Sequence, residues 1–310
     1  MNEYIKDICK IITHGEMDNT YKMSWIRSIV EICEKSPKKV IHFDELSPLI
    51  FKYYWNQCIY FNLRQSPNFR KKPEIIQIVE EEIRKFTNRF GSRPRRFVEV
   101  QDEITLPTSK ISTILKYDVS HRFLNLDKKK LNIYEYDLVN RIIKIPYPEV
   151  IRDHSEILYP LINYRWVKKL EEVDGSPRLT KKIIGVDRDG EPKRKNLKPF
   201  RKYLDIVNPE RICFISGDKI DVGDLSIDHL IPWSYMYSDD LWNLVYVSSS
   251  VNSSKSNRLP EEKLIQKLEK RNKRLLEVMD SHNIHDKNYD ELKLSIEKDF
   301  LRHHYIGFKG

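Results

Sequence analysis

The residues of this sequence with the clearest chemical potential are an aspartate–histidine pair and two asparagines that follow it. Asp228 and His229 are adjacent, Asn243 lies fourteen positions after the histidine, and Asn252 lies nine positions further on. The Asp228 carboxylate is a hard oxygen donor that suits Mg²⁺ or Mn²⁺. The His229 imidazole, with an unperturbed pKa of about 6.5, can remove a proton from water at neutral pH. Asn252 can supply a second oxygen to the same ion.

The elements around these residues predict how they are positioned. A short strand over residues 226–230 carries the Asp-His pair, a polar loop leads to Asn243, and a second short strand covers residues 244–247. A serine-rich segment then favours a short helix, because serine caps helix starts. Adjacent strand residues point to opposite faces, so the pair cannot consist of two ordinary core residues. A bulge or twist at the strand end can nonetheless bring the pair to two sides of one small site. The sequence therefore predicts strand, loop, strand and helix around such a site.

This segment resembles an HNH nuclease motif, of the subtype with asparagine at the third motif position found in the HNH domains of CRISPR effector nucleases. The resemblance covers about 50 residues, less than a fifth of the chain, and it implies a ββα-metal (His-Me finger) fold. By position, it implies that His229 is the general base and that Asp228 and Asn252 are metal ligands. It implies that Asn243 holds the loop so that His229 faces the attacking water. The implied reaction is phosphodiester hydrolysis.

Basic residues near the motif are candidates for contacts with phosphate. Lys255 follows Asn252 by one helical turn, so it shares that face and can meet a phosphate oxygen in the reaction. Asn257 is a rival for the role of Asn252, although its register fits the motif less well. The residues that we expect to contact nucleic acid are Lys193, Arg194, Lys195, Lys255 and Arg258. For the last two and for the segment before the motif, ordinary solvated charges are the alternative.

The sequence departs from many HNH proteins in its metal chemistry. Asn252 stands where many have histidine, which favours Mg²⁺ or Mn²⁺ over softer ions. Many also carry two CxxC pairs for a structural zinc, whereas here Cys213 is followed by Ser216 at the place of the second thiol. We expect no structural zinc, and we expect Trp233, Trp242 and the helices after residue 260 to hold the finger by packing.

Composition is consistent with a nuclease without requiring one. The 310 residues carry a net charge of +9, which favours a polyanion such as DNA as a partner. The four scattered cysteines form no disulfide framework, so we expect a reduced, cytoplasmic protein. The first residues include acids and no long apolar run, so we expect them to be neither a signal peptide nor a membrane anchor.

Along the chain, the sequence predicts an α+β protein in three parts. Residues 1–95 predict a mostly helical module of unassigned role. Residues 96–200 predict a mixed region of strands and turns with a buried helix over residues 157–173, and this region ends in a basic segment, 178–202. Residues 203–310 predict the nuclease domain with C-terminal helices. In the basic segment, Arg188-Asp189-Gly190 predicts a hairpin turn between short strands. Its basic residues either lie along a phosphate backbone or form a solvated linker.

Three alternatives to a DNA endonuclease stay open at this level. The same finger could cleave RNA. The chain could be a binding protein that keeps only the fold, although such a protein has no need of the intact Asp-His-Asn set. The nuclease could also be an effector subunit directed by a partner protein, or a homodimer, through its N-terminal helices. A role in restriction or anti-phage defence is an expectation by analogy with the family.

Overall fold

The structure, a computed structural model, describes residues 2–68, 70–91, 94–186, 192–255 and 257–309. These residues form two compact units. The first comprises the described residues within 1–175 and 179–192, and the second comprises those within 176–178 and 193–310. The boundary predicted between residues 95 and 96 falls inside the first unit, because the helices on its two sides pack on one another.

The first unit is mostly helical, with short strands. Its helices are α1 (Glu3–His14), α2 (Tyr21–Lys35), α3 (Phe43–Tyr60), α4 (Glu74–Phe90), α5 (Phe97–Val100), α6 (Thr108–Asp118), α7 (Pro148–Asp153), α8 (Ser155–Val173) and α9 (Leu179–Gly185). Its strands are β1 (Val40–His42), β2 (Asn125–Leu126), β3 (Lys129–Lys130), β4 (Glu135–Asp137) and β5 (Ile142–Lys144). Strands β1, β5 and β4 form one antiparallel sheet in that order, and β2 pairs with β3.

Helices α2 and α3 form the centre of the first unit, and α4, α6, α7 and α8 pack around them. The buried apolar residues of these helices face this centre. Trp25, Trp55 and Trp166 are fully buried there. The same core holds an ion pair, in which the Lys52 Nζ lies 2.9 Å from Glu31 Oε1.

The second unit is built on a hairpin of two strands, β6 (Leu225–His229) and β7 (Leu244–Ser248), which pair antiparallel. Its helices are α10 (Arg201–Val207), α11 (Trp233–Met236), α12 (Ser249–Lys255), α13 (Glu262–Ser281), α14 (Lys287–Glu297) and α15 (Phe300–Lys309). The α+β class and the strand, loop, strand and helix order predicted for this part of the sequence are confirmed.

The C-terminal helices form the core that supports the hairpin. Helix α13 buries Ile265, Leu268, Leu275 and Met279, whose spacing places them on one face. They pack in one cluster with Trp242 and the strand β7. The predicted support of the finger by Trp242 and the later helices is confirmed. Trp233 is also buried, at the start of α11.

The prediction of a short strand before the turn at Arg188 is wrong for residues 179–185. These residues form the helix α9, which buries Leu179 and Ile183. The turn at Arg188-Asp189-Gly190 itself lies outside the described residues. Arg271 of α13 faces the protein interior and not solvent, and its Nη2 donates to the carbonyl of Leu244 at 2.7 Å. In the described part of the chain, no helix is long and apolar enough to cross a membrane.

Candidate active site

The β6–β7 hairpin places Asp228 and His229 at the end of β6, opposite the first residues of β7. Asp228 pairs with Val245 and His229 with Leu244 in the strand register. Because side chains alternate along a strand, the two residues project to different faces of the hairpin. His229 is 2% exposed, whereas Asp228 keeps partial access to solvent.

Asp228 lies on the face of the hairpin that α12 covers. On the same face, Ser226 of β6 contacts Ser249 at the start of α12, with 3.3 Å between their hydroxyl oxygens. At the far end of the helix, the Lys255 Nζ lies 2.6 Å from Asp228 Oδ2 and also donates to the His229 carbonyl. Lys255 therefore links the C-terminal end of α12 to the end of β6.

Asn252 lies one helical turn before Lys255, on the same side of α12. Side chains of a helix lean toward its N-terminus, so the Lys255 side chain passes over the turn that carries Asn252. The side-chain amide of Asn252 forms no hydrogen bond with any residue that the structure describes, and the residue is partly exposed. This face of the hairpin thus presents one carboxylate, whose Oδ2 is bound by Lys255, and one unengaged side-chain amide.

Asn243 fixes the chain immediately after His229. Its Oδ1 accepts from the Ile231 backbone N–H at 2.8 Å, and its Nδ2 donates to the Ile231 carbonyl at 2.9 Å. Its own carbonyl accepts from the Leu230 N–H at 2.8 Å. Asn243 is 1% exposed, so these bonds are shielded from water. The Asn243 side chain therefore links the two ends of the loop between β6 and β7.

Helix α13 holds the start of β7 in turn. The Asn272 Nδ2 donates to the Trp242 carbonyl at 2.9 Å, and Arg271 binds the carbonyl of Leu244. The backbone carbonyls of Trp242 and Leu244, on either side of Asn243, therefore both accept hydrogen bonds from side chains of α13. Nothing in the sequence distinguishes Arg271 from the other basic residues of α13 in this role.

The His229 imidazole has a partner that the motif did not identify. Its Nε2 lies 2.9 Å from Asp239 Oδ1, in the polar loop between the strands. The loop is anchored through the next residue, Asp240, whose Oδ2 lies 3.2 Å from Arg178 Nη2. The only signal in the sequence was the pair of acids in that loop, and nothing in its spacing indicated which of them would reach the histidine.

A cleft of about 400 Å³ runs along α12 beside this site. Its polar lining comes from Ser250, Ser254, Lys255, Arg258 and Glu261, and its apolar lining includes Val251. Arg258, one of the predicted nucleic-acid contacts, is exposed there. The cleft therefore brings two cations, Lys255 and Arg258, and one carboxylate, Glu261, beside Leu230 at the end of β6.

The other predicted contacts lie in the residues that precede α10. Lys193, Arg194 and Lys195 are all exposed. The guanidinium carbon of Arg194 lies 5.2 Å from the centroid of the Trp233 ring, within the range of a cation–π contact. This contact ties the basic stretch to α11 in the hairpin loop.

The turn before the hairpin surrounds the single cysteine of this unit. Burial opposes ionisation of the Cys213 thiol, but hydrogen bonds from the Ser216 hydroxyl and from nearby backbone N–H groups outweigh it and lower the pKa. Gly217 adopts a left-handed conformation, φ 84°, that closes the turn. Within the described residues, no group of three or more His, Cys, Asp or Glu side chains is placed to hold a metal ion.

Comparison with known protein families identifies the second unit's central segment. The family model described as HNH endonuclease matches residues 213–261, which include the turn at Cys213, the whole hairpin and α12. Comparisons with curated proteins and with solved structures found no match. The chain thus carries an HNH endonuclease domain, which implies a nuclease of the hydrolase class that acts on nucleic acid.

Proposed function

We propose that this HNH nuclease is an endonuclease that hydrolyses phosphodiester bonds in DNA with the help of Mg²⁺ or Mn²⁺. The observation that carries the proposal is the arrangement at the end of β6. There a buried, anchored imidazole is adjacent in the chain to a carboxylate that faces α12. A nucleic-acid-binding protein would gain nothing from an imidazole held in this way, whereas a general base requires it.

The donor atoms near Asp228 suit a hard divalent ion. A carboxylate oxygen and the amide oxygen of Asn252 are the ligand types that Mg²⁺ and Mn²⁺ prefer. Ions of this kind keep several water or phosphate ligands, so two protein donors are enough. When bound, such an ion stabilises negative charge on the phosphate and on the leaving oxygen.

The remaining steps belong to the side chains of this chain. His229 accepts a proton from the attacking water, and Asn243 holds the loop that follows it so that the imidazole keeps its orientation. Lys255 and Arg258 offer positive charge to the phosphate from the rim of the cleft. Lys193, Arg194 and Lys195 extend this positive surface along the nucleic-acid backbone.

We assign DNA as the substrate and restriction or another anti-phage defence as the biological role. The first rests on the net charge of +9 and on the sequence resemblance, and the second on analogy with that family. The hairpin presents few groups that could read base edges, so target choice falls to the remaining residues or to a partner.

The test is digestion of supercoiled plasmid and of an RNA of matched sequence by the purified full chain, in Mg²⁺, Mn²⁺ or EDTA. We expect nicked or linear plasmid with either metal, none with EDTA, and slower cleavage of RNA. Cleavage that persists in EDTA contradicts the metal requirement. Faster cleavage of RNA overturns the DNA assignment and leaves a ribonuclease in its place.

A further inference from the structure

The pairing of His229 with Asp239 is shielded from solvent. Their side chains are 3% and 10% exposed, and the Nε2 to Oδ1 distance is 2.9 Å. A hydrogen bond to a carboxylate in such surroundings is stronger than the same bond in water. The contact therefore restricts the imidazole ring more than a surface contact would.

Asp239 owes its position to contacts that do not involve His229. Its neighbour Asp240 accepts from Arg178 and from the Ser238 hydroxyl. Arg178 also donates through Nη1 to the Met236 carbonyl at 3.1 Å. Hydrogen bonds thus fix the loop on both sides of Asp239. They hold its carboxylate beside the imidazole without any contribution from His229.

A carboxylate that faces one ring nitrogen determines which nitrogen carries the proton. A neutral imidazole has one N–H donor and one acceptor nitrogen, whereas an ionised carboxylate only accepts. Asp239 therefore selects the tautomer with the proton on Nε2. The lone pair is then on Nδ1, the nitrogen that is left to take a proton from water.

We propose that Asp239 is a positioning residue of the nuclease, which holds His229 in the Nε2–H tautomer through their hydrogen bond. This inference rests on the proposed function of His229 as general base. In the step, Nδ1 takes one proton of the water, whose oxygen forms a bond to phosphorus while the bond from phosphorus to the leaving sugar oxygen breaks. The imidazolium that results is stabilised by the Asp239 carboxylate, and solvent protonates the leaving oxygen.

The experiment combines ¹⁵N NMR of histidine-labelled full chain with cleavage kinetics. His229→Ala identifies the His229 signals among those of the nine histidines. In the wild type we expect a protonated Nε2 and an unprotonated Nδ1. In Asp239→Asn, where the amide can donate to Nε2, we expect the Nδ1–H tautomer to appear. We also expect kcat to fall by about 100- to 10,000-fold, the scale of a wrong-tautomer defect.

Asp240→Asn is the matched control, because it weakens the anchor of the same loop while leaving the carboxylate of Asp239 in place. We expect it to lower the melting temperature and to keep the wild-type tautomer. Asp239→Glu, which restores a carboxylate, should recover part of kcat. KM for DNA should stay within about twofold in Asp239→Asn, because Asp239 contacts the histidine and not the substrate.

The outcomes separate this inference from the proposed function. If the tautomer follows residue 239 but the wild type cleaves no nucleic acid, the pairing stands and the nuclease proposal fails. If the wild type cleaves and Asp239→Asn keeps both its tautomer and its kcat, the role of Asp239 is refuted. A change of tautomer in Asp240→Asn as large as that in Asp239→Asn also refutes it.

Discussion

The ammonium of Lys255 lies 2.6 Å from the Asp228 carboxylate, and the two side chains are only 11% and 13% exposed. The same carboxylate is the proposed ligand for a divalent ion. Under the proposed function, a metal ion and the ammonium group would compete for this carboxylate, and the lysine would have to shift its hydrogen bond for the ion to bind fully. We therefore expect Lys255 to influence metal affinity as well as phosphate binding.

Lys255→Met tests that competition, because it keeps the apolar stem and removes the charge. We expect Mn²⁺ to bind about threefold to tenfold more tightly, equivalent to roughly 0.7–1.4 kcal/mol. Cleavage should nonetheless slow, since the phosphate loses a positive partner. Isothermal titration calorimetry and a plasmid assay measure the two effects.

Lys267→Met is a matched control, because that ammonium donates to the Phe214 carbonyl and not to a carboxylate. It should leave Mn²⁺ affinity unchanged. Weaker or equal Mn²⁺ binding by Lys255→Met would show that the ammonium does not compete with the ion.

Asn243→Ala should loosen the loop that follows His229. The substitution removes the partners of the buried Ile231 N–H and carbonyl, at a cost of about 2–4 kcal/mol for the two groups. We expect faster hydrogen exchange in the peptide that covers residues 230–236. Cleavage should fall by about 10- to 100-fold, as for other supporting residues.

Asn272→Ala is the comparison for that variant, because it removes one buried hydrogen bond, to Trp242, without contacting the loop after His229. It should cost about 1–2 kcal/mol of stability and change the cleavage rate little. Equal loss of rate in both variants would show that the effect of Asn243 is general destabilisation.

The sequence predicted those parts of the fold that depend on local patterns. Residues 1–95 were predicted to be mostly helical, and they contain α1 to α4. The motif predicted the hairpin and the helix that follows. Asn243 and Ile231 lie together because they are at the two ends of the loop that joins the strands of one hairpin. That relationship follows from sequence neighbourhood and needs no knowledge of the remaining chain.

What the sequence did not predict depends on side chains that meet across the fold. In the sequence, Arg271 resembles any exposed basic residue of an amphipathic helix. Only the fold brings the carbonyl of Leu244 beside it. Asp239 and Asp240 are chemically identical neighbours, and only the loop conformation sends one to His229 and the other to Arg178. Helix contacts likewise cross the chain near residue 95, so the residues on both sides of it lie in the first unit.

The basic residues around the site should control affinity for DNA through phosphate contacts. In a His229→Ala background, alanine at Lys193, Arg194, Lys195 and Arg258 should weaken binding of duplex DNA. The slope of log K against log salt should fall by about 2–4, at about 0.9 per lost phosphate contact. Fluorescence anisotropy over a salt series measures it.

Alanine at Lys287, Lys293 and Lys298 supplies the control for that series, because these are exposed lysines of the same unit. Their removal should change the slope by less than about 1. An equal drop in both sets would mean that net charge alone, and not this surface, binds DNA.

Glu31 in the first unit should make stability depend on pH. Burial opposes its ionisation, but Lys52, the Tyr53 hydroxyl and Lys35 outweigh burial and lower its pKa from 4.5 to about 2. Because the folded pKa lies below the unfolded value, the stabilisation is complete above about pH 4.5. It is lost as the pH falls toward 2.

Glu31→Gln should therefore cost about 2–4 kcal/mol at pH 7, where it leaves Lys52 buried without its charged partner. The difference from the wild type should shrink at pH 3. Urea unfolding at the two pH values measures it, with the exposed Glu171→Gln as a control that changes stability by less than about 0.5 kcal/mol. A difference that is the same at both pH values would refute the linkage.

The measurement that bears most directly on His229 as general base is the single-turnover rate of plasmid cleavage in Mg²⁺ by the wild type and by His229→Ala. Mn²⁺ affinity of both proteins is measured in parallel. We predict a rate at least about 100-fold lower in the variant, the lower range for a positioned general base, with Mn²⁺ affinity within about twofold. Equal rates for the two proteins would contradict the assignment of His229.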